Sequence, residues 1–343
     1  MSAELRISRA RLAANIASLQ ARVAPAGVLV VVKDDAYGHG VEAVTSVAVE
    51  AGVGWLGAID LPSARRAKAE AGDRARVFCW LTLSPTETRE ALDAGLELGV
   101  GDAGYLERIA ELATQPAVVH LKIDTGLHRN GVRPEAWPAF VARAAELERA
   151  GRIRVAGIWS HISEASDADD DDARAAFEAA IKAARAAGLA PEVRHLAASA
   201  AGWARAEFRY DLVRFGAFVY GIRSADGPDR PGIAPAATLV ARVTAVRDAD
   251  VEIGIGSLDG LPSSLGGRVS VGTPAGGREL RRVGLGASVV ESWPGAAVGD
   301  EVAIWGPGSS GESSATTLAE AIDTVGEEPL LRLSPLIPRV VVD

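Results

Sequence analysis

The sequence predicts an α/β protein: a (β/α)8 TIM barrel over residues 1–225, followed by an all-β domain over residues 226–343. Three observations lead to this prediction. Short apolar runs alternate with Ala-rich stretches over the first two-thirds of the chain, and eight such pairs can be counted. Near residue 225 a Pro/Gly-rich segment, SADGPDRPG, ends the helical periodicity. The length of 343 residues also favours two domains.

The predicted barrel strands are continuous apolar runs, which is typical of parallel strands covered on both faces. They are residues 28–32, 53–58, 76–81, 96–100, 117–123, 154–160, 193–198 and 212–219. Amphipathic stretches such as LPSARRAKAEAG and EAWPAFVARAAELERAG lie between them and end at Gly, as helices do. Eight βα units favour a barrel over a doubly wound sheet, which usually has fewer strands.

The C-terminal segment is predicted to be mostly strands. Its apolar runs, including ATLVARVTAV, SVVES and DEVAIWG, are short and separated by Gly and Pro. One helix is predicted at residues 315–325. In the barrel part, the acidic run Asp169–Asp172 is interpreted as a solvated helix N-terminus, where carboxylates are favoured, in preference to a metal site.

The composition narrows the possible functions. The net charge is −9 without a basic cluster, so no nucleic-acid partner is expected. The only cysteine is Cys79, which excludes an internal disulfide and a cysteine-based metal site. The first twenty residues space their apolar side chains at helical intervals and form no signal peptide, and no stretch is long enough to span a membrane. We expect a cytoplasmic protein.

Lys33 is the first candidate for chemistry, because it follows strand 1 in VVVKDDAYGHG and barrel enzymes gather functional residues at strand C-termini. Two interpretations apply. The lysine extends to solvent, or it is a desolvated amine whose lowered pKa allows imine formation. Tyr37 and the glycines at 38 and 40 favour the second, since glycine lets a ligand approach the backbone.

Four further strand ends carry polar residues. KIDTGLHRNGV follows strand 5, His161 follows strand 6, Ser199 follows strand 7, and Arg214 lies in strand 8 just before Gly216. Each has a structural explanation alone: a core histidine, a helix cap, a rim ion pair. Their coincidence at successive strand ends indicates one site, and the loops after strands 7 and 8 are a recurrent phosphate site in barrels.

These motifs resemble those of the alanine racemase family. VVKDDAYGHG, KIDTGLHRNG, HLAASAA and VRFGAFVYG are similar in order and spacing to that family's motifs over residues 4–222, and more weakly beyond. The resemblance implies a fold-type-III enzyme that uses pyridoxal 5′-phosphate (PLP), acts on a small amino acid and forms a homodimer. It also implies that no metal is needed.

The resemblance assigns a role to each matching residue. Lys33 holds PLP as a Schiff base and is the base for one enantiomer's α-hydrogen. The phosphate is held by Tyr37, Ser199 and the backbone around Gly216 and Ala217. Arg129 lies near the cofactor's phenolic oxygen and the substrate carboxylate, and His161 belongs to the hydrogen-bonded network beside the ring.

Arg214 is implied to face the pyridine nitrogen. Because arginine is effectively always cationic, it can only donate a hydrogen bond and leaves that nitrogen unprotonated. The cofactor is then a weaker electron sink, which favours rapid reprotonation and limits side reactions.

The sequence departs from the family at the second base. The family supplies a tyrosine from the β domain across the dimer interface, in a motif like GYADG. Here GIGSLDGLP places Ser257 at that position, and no tyrosine occurs in residues 221–343. The family's CMDQ-like segment aligns with Ala287, Ser288 and Val289, which leaves Ser288 as the candidate substrate contact. A serine hydroxyl has a pKa well above that of tyrosine and cannot replace it unaided.

Three functions therefore remain open. The enzyme racemises, with Lys33, His161 acting through a water, and Ser257 in the catalytic site. Alternatively its chemistry is confined to the Lys33 face, as in retro-aldol cleavage of β-hydroxy amino acids or transamination. In the third, the chain binds PLP without turnover. A metal-dependent barrel hydrolase is disfavoured because the chain has five histidines and no HxH pair after strand 1.

Overall fold

The computed structural model describes residues 2–343, which divide into two compact units. The barrel unit comprises Leu19–Lys33 and Ala48–Gly216. The β unit comprises the described part of Met1–Ser18, together with Asp34–Val47 and Ala217–Asp343. The N-terminal residues thus share a unit with the C-terminal strands. The boundary at residue 225 stays a prediction.

The chain begins with β1 (Ala3–Ser8) and α1 (Arg9–Val23). Helical spacing was the expectation for the first twenty residues, and for residues 3–8 it was wrong. Leu5 and Ile7 are buried at a period of two, as in a strand. The helix starts only at Arg9.

The barrel unit contains all eight predicted strands. They are β2 (Gly27–Val31), β3 (Trp55–Ala58), β4 (Arg76–Cys79), β5 (Glu97–Val100), β6 (Ala117–Lys122), β7 (Ile153–Trp159), β8 (Val193–His195) and β9 (Leu212–Phe215). Each is parallel to its neighbour, and β9 pairs with β2. The edge between β8 and β9 is bridged by backbone hydrogen bonds from Asp211 N–H to the Arg194 carbonyl (3.1 Å) and from Arg214 N–H to the Ala197 carbonyl (3.2 Å). The predicted (β/α)8 fold is confirmed.

Helical segments connect these strands. They are α2 (Lys33–Tyr37), α3 (Val41–Glu50), α4 (Leu61–Ala71), α5 (Pro85–Asp93), α6 (Ala103–Leu112), α7 (Trp137–Arg149), α8 (Asp167–Ala186) and α9 (Ser199–Ala204). N-cap side chains accept backbone N–H groups at α4, α5, α6 and α8, which fixes where those helices start. Helix α8 begins at the acidic segment, as predicted, with Ser166 as its cap, but Asp170 of the run is buried and not solvated. Within residues 2–343, no cluster of His, Cys, Asp or Glu side chains is arranged to hold a metal ion.

Small residues make room for large side chains inside the barrel. A Cβ on Gly157 would collide with the ring of His120, and one on Gly99 would lie 2.9 Å from the ring of Trp159. His120 and Trp159 therefore fill the barrel interior because the neighbouring strands carry glycine opposite them. This arrangement places a histidine in the centre of the barrel.

The β unit is mainly antiparallel. Its strands after β1 are β10 (Ala237–Val246), β11 (Asp250–Ile253), β12 (Ser270–Thr273), β13 (Gly276–Val283), β14 (Ser288–Glu291), β15 (Glu301–Trp305) and β16 (Arg339–Val342). The order β11-β14-β13-β12-β15-β10 closes through a β10–β11 pairing, and β1 and β16 extend it beyond β10. The predicted β domain is confirmed. The helix predicted at 315–325 is shorter, α10 (Ala315–Glu320), and is followed by α11 (Glu327–Leu331).

No helix within residues 2–343 has both the length and the apolar character needed to cross a membrane.

We predict that Gly157→Ala destabilises the protein by about 1–3 kcal/mol, because the added methyl forces His120 out of a packed interior. Gly54→Ala is the matched control, since nothing lies within 4 Å of a Cβ built at that position. Denaturant unfolding of both variants measures the difference. Equal stability of the two variants would contradict the packing argument.

Candidate active site

Lys33 follows β2 and opens a left-handed turn. Asp34, Asp35 and Ala36 have φ angles of 54°, 53° and 54°, and Tyr37 has 55°. The left-handed conformation costs L-residues roughly 1–2 kcal/mol each. Backbone hydrogen bonds hold it: Gly38 N–H donates to the Asp34 carbonyl (3.0 Å). Four successive strained residues beside a candidate reactive lysine mark a position where the fold maintains an unfavourable geometry.

His39 supports this turn from inside the β unit. It is buried, and its Nδ1–H donates to the carbonyls of Ala36 (3.1 Å) and Tyr37 (2.9 Å). Its ring packs against Tyr220 at a centroid distance of 4.7 Å. Burial lowers the pKa of His39 to about 4, so the ring is neutral at physiological pH. His39 is therefore a structural group and not a candidate catalyst.

Tyr37 is buried in the same cluster, with its ring 4.8 Å from that of Tyr220. Burial raises the pKa of Tyr37, and the carboxylates of Glu327 and Asp34 raise it further. The phenol consequently keeps its proton. A protonated phenol is the form that can donate a hydrogen bond to an anionic ligand.

Arg214 is the most extensively bonded side chain of the candidate site. It is 3% exposed. One terminal nitrogen donates to the His195 carbonyl (2.9 Å) and contacts His195 Nδ1 (3.1 Å). The other donates to the carbonyls of Ser160 (2.7 Å) and Leu196 (2.8 Å) and contacts His161 Nδ1 (3.1 Å). Within residues 2–343, no acceptor is found for its Nε–H. That donor is the one left for a ligand atom.

His161 lies among four cationic side chains. Burial lowers its pKa to about 3, and the charges of Arg214, Arg129, Lys122 and Lys33 add to the shift. The neutral ring accepts from Arg214 at Nδ1, so the proton is on Nε2. A neutral histidine surrounded by cations is suited to a site for an anionic ligand.

Lys122 ends β6 and is almost fully buried. Its Nζ lies 4.4 Å from the ring centroid of Trp159. Burial lowers its pKa to about 8, and the charges of Arg214 and Arg129 contribute. The sequence pattern predicted that the loop after this residue belongs to the site, but it assigned no role to Lys122 itself.

Asp124 shapes that loop. Its carboxylate accepts the backbone N–H groups of Gly126 (3.1 Å) and His128 (3.0 Å), together with the His128 ring at 3.1 Å. Arg129 follows directly and is exposed. The polar residues of KIDTGLHRNG thus serve two purposes: the aspartate folds the loop, and the loop carries Arg129, whose charge acts on His161.

Ser199 and Gly216 lie together in the barrel unit, where the Gly216 N–H donates to Ser199 Oγ at 3.2 Å. Both were predicted at a phosphate site. Glu164, which the sequence analysis missed, lies nearby: its carboxylate accepts the Ala201 N–H at 2.9 Å, and its charge acts on Arg214. No periodicity distinguishes Glu164 in the polar stretch WSHISEAS, so only the structure identifies it.

The remaining predicted residues belong to the β unit. Ala217 opens a short 3-10 helix, and Ser257 opens another, with its N–H donating to the Gly284 carbonyl at 2.9 Å. Ser288 is fully buried, and its hydroxyl donates to the Ile255 carbonyl at 2.7 Å. Because that hydroxyl already has a partner inside the unit, the structure gives no support to a substrate contact by Ser288.

Comparison with known proteins supports one family over nearly the whole chain. The profile described as "Alanine racemase, N-terminal domain" matches residues 7–224. The alanine racemase of Thermobifida fusca is 35% identical over 98% of this chain and 97% of its own length, and that of Beutenbergia cavernae is 36% identical over 96% and 95%. The chain belongs to the alanine racemase family. Among solved structures, the alanine racemase from Streptomyces coelicolor A3(2) matches with a TM-score of 0.93 and 32% identity, covering 100% of this chain and 98% of that one.

Alanine racemases are PLP-dependent isomerases, and the barrel unit offers the groups such a cofactor needs. A lysine follows β2, the Ser199 hydroxyl can still donate while its oxygen accepts the Gly216 N–H, and Arg214 has one donor to spare. The four cations around His161 suit a phosphate and a carboxylate. The donor set of this alanine racemase relative therefore fits PLP.

We predict that the protein loses stability as the pH falls from about 6.5 to 5. Burial lowers the pKa of four histidines, which are His39, His120, His161 and His195. The unfolded chain binds protons near pH 6.5 while the folded chain does not, so the stabilisation present above that pH is lost as the pH falls toward the folded pKa. For His161 the loss is about 2 kcal/mol at pH 5.

Denaturant unfolding at pH 7, 6 and 5 tests this expectation. His161→Gln removes one of these four imidazoles and is expected to give a shallower pH dependence than the unsubstituted protein. An identical slope for the two proteins would show that His161 does not remain neutral in the folded state.

Proposed function

We propose that this protein is a PLP-dependent racemase of a small amino acid. The observation that carries the proposal is Arg214, which is buried and held by backbone carbonyls with one donor left over. A guanidinium in that position donates to a ligand nitrogen and cannot protonate it. That property suits a reaction that removes a proton from Cα and quickly returns one.

The residues have separate tasks. PLP, when bound, supplies an electron sink that acidifies the substrate's Cα–H. Lys33 binds the cofactor and exchanges a proton on one face of Cα. The phosphate is held by Tyr37, Ser199 and the N–H groups of Gly216 and Ala217. Arg129, exposed on its loop, attracts the substrate carboxylate.

A racemase also needs a group that exchanges a proton on the second face of Cα. No tyrosine is present in residues 221–343, and Ser257 occupies the position that the family resemblance gives to the second base. His161 is neutral and carries its proton on Nε2, so it can orient and polarise a water that delivers the proton. We propose this route, and Ser257 stays a candidate catalytic residue because the resemblance gives it the tyrosine position.

The absence of that tyrosine supports a second candidate function. If no group delivers a proton to the second face, chemistry is confined to the Lys33 face, as in retro-aldol cleavage of a β-hydroxy amino acid or in transamination. If no group exchanges a proton on either face of Cα, the chain binds PLP without turnover. Both alternatives predict the same cofactor absorbance as a racemase and differ in proton exchange.

We predict that the protein exchanges the α-hydrogen of both L- and D-alanine in D2O and inverts both. Proton NMR follows the exchange, and chiral chromatography follows the inversion. Lys33→Ala is expected to lose the visible absorbance of the lysine-bound cofactor as well as all exchange. A wild-type protein without that absorbance would refute the PLP assignment.

Exchange of D-alanine without inversion would instead establish chemistry confined to one face. Ser257→Tyr then serves as a diagnostic variant, because it returns a phenol to the family position. A rise in the inversion rate of this variant, with an unchanged D-alanine exchange rate, is expected if Ser257 limits proton delivery. Inactivity toward a panel of small amino acids would support a binding protein.

We further propose a homodimer, with a second copy of the chain covering the surface beside Ser257. Leu258 and Leu285 are 74% and 71% exposed, and the Leu258 N–H donates to the Leu285 carbonyl at 2.9 Å, so we treat these two neighbouring leucines as an apolar patch of the β unit. Adjacent exposed leucines are unusual on a free surface. The patch flanks the residue that the family contributes across its interface.

Leu285→Glu is predicted to shift the protein toward monomer in analytical ultracentrifugation, because a buried charge opposes association. Leu83→Glu is the control: that leucine is 78% exposed in the barrel unit, and its replacement is expected to leave the mass unchanged. A monomeric wild-type protein, or an unaffected Leu285→Glu dimer, would contradict the proposed interface.

A further inference from the structure

A chain of hydrogen bonds crosses the barrel interior below Arg214. Arg214 contacts Nδ1 of His195 (3.1 Å), Nε2 of His195 contacts Nδ1 of His120 (2.9 Å), and Nε2 of His120 contacts a carboxylate oxygen of Glu97 (2.8 Å). Arg76 then donates to Glu97 through two nitrogens. Five side chains from five strands thus link the candidate site to the opposite end of the barrel.

The groups at the two ends of this series of hydrogen bonds determine which atom is the donor in every bond between them. Arg214 has only donors, so Nδ1 of His195 must accept and the proton of that ring is on Nε2. That proton is donated to Nδ1 of His120, whose own proton is then on Nε2 and is donated to Glu97. Starting from the carboxylate gives the same result, because Glu97 can only accept while it is ionised. Both ends therefore require the same tautomer in each ring.

The surroundings exclude water from the chain. His120 and His195 are fully buried, and Glu97 is 6% exposed. The ring of Trp159 stacks on that of His195 at 5.7 Å, and the ring of Phe78 lies 4.6 Å from that of His120. With no competing solvent, a donor or acceptor placed wrongly in this chain would remain unsatisfied, at a cost of about 1–3 kcal/mol. The arrangement is consequently sensitive to the identity of its terminal group.

We propose that Glu97 is a positioning residue for the active site, which it orients through His120, His195 and Arg214. The carboxylate fixes both ring tautomers, and these present Nδ1 of His195 as an acceptor for one terminal nitrogen of Arg214. The other terminal nitrogen then binds His161, and the Nε–H stays available to a ligand. The catalytic consequence rests on the proposed function; the tautomer pattern does not.

Glutamine at position 97 is expected to break this arrangement. Its amide can donate to Nε2 of His120, and that contact transfers the proton of each ring to Nδ1. His195 would then direct an N–H toward the guanidinium of Arg214, donor against donor. If the amide oxygen faces His120 instead, the amide NH2 is directed toward Arg76, which again has only donors. Neither orientation satisfies every group.

The first measurement uses the full-length protein as purified. Long-range ¹H–¹⁵N NMR of the protein with ¹⁵N-labelled histidine reports the tautomer of each ring, and single His→Gln variants assign the signals. We expect His120 and His195 to be neutral with their protons on Nε2. Protonation of either ring on Nδ1, or a charged ring at pH 7, would overturn the proposal without any reference to activity.

The second measurement compares Glu97→Gln with Glu192→Gln. Glu192 also binds Arg76, at 2.9 Å, but touches neither histidine, so the control makes the same charge change beside the same arginine. Glu97→Gln is expected to give mixed tautomers of His120 and His195, a shifted absorbance of bound PLP, and kcat lower by about 10- to 100-fold with KM little changed. Glu192→Gln is expected to leave all three unchanged.

Tautomers unaffected by Glu97→Gln, or altered equally by Glu192→Gln, would overturn the positioning role. If Glu97→Gln fails to fold, the wild-type tautomer measurement still decides. If the wild-type protein shows the expected tautomers but no exchange with any amino acid, the proposed function fails while the hydrogen-bond direction stands.

Discussion

A positive charge buried in the barrel is the constraint around which the active site is organised. Arg214 lies in β9 with almost no exposure, and burial lowers its pKa to about 9. Placing an ionised group there is costly unless its donors are satisfied. The protein meets this requirement with three backbone carbonyls and two imidazole nitrogens, so the ends of β7, β8 and β9 must keep their mutual positions. That rigid arrangement uses both terminal nitrogens of Arg214 and leaves its Nε–H for the proposed ligand contact.

The second constraint is the left-handed turn after β2. Four residues with positive φ follow Lys33, and a neutral, buried His39 holds the carbonyls of two of them. The chain passes from the barrel unit to the β unit between Lys33 and Asp34, at the start of this turn. Strain concentrated at such a point is maintained by the surrounding fold and is typical of functional sites.

The candidate site residues of the barrel unit match the family's motifs better than those of the β unit do. The barrel unit retains a lysine, two arginines, a serine and a neutral histidine at its strand ends, and the chain is 35% identical to the alanine racemase of Thermobifida fusca. In the β unit, no tyrosine follows residue 220, and Ser288 donates an internal hydrogen bond to the Ile255 carbonyl. The proposed cofactor binding and proton transfer on one face therefore use groups that are present in the barrel unit. The proposed proton transfer on the other face lacks the family's tyrosine and is assigned to His161 instead.

Local sequence was sufficient to predict the barrel strands and the polar residues at their C-terminal ends. The eight apolar runs, the helical stretches between them and the positions of Lys33, His161, Ser199 and Arg214 follow from periodicity and from the rule that barrel chemistry lies at strand C-termini. Simple counting also established that no tyrosine follows residue 220. The strand β1 was mispredicted because one helical period was assigned to the first twenty residues, although Ala3, Leu5 and Ile7 alternate as in a strand and pair with β10 and β16.

The interior chain from Glu97 to Arg214 could not be predicted from the sequence. Its members are separated by 23, 75 and 19 residues, and they lie on four different strands. The alternation of a strand allows a residue to face inward, but the partner it meets is set by strand register and by the glycines that leave space beside it. The amino-acid sequence by itself determined the fold, the family and the missing tyrosine, because these depend on local pattern and residue counts. The tertiary structure alone decided which buried donors meet which acceptors, because a hydrogen bond requires two groups that only folding brings together.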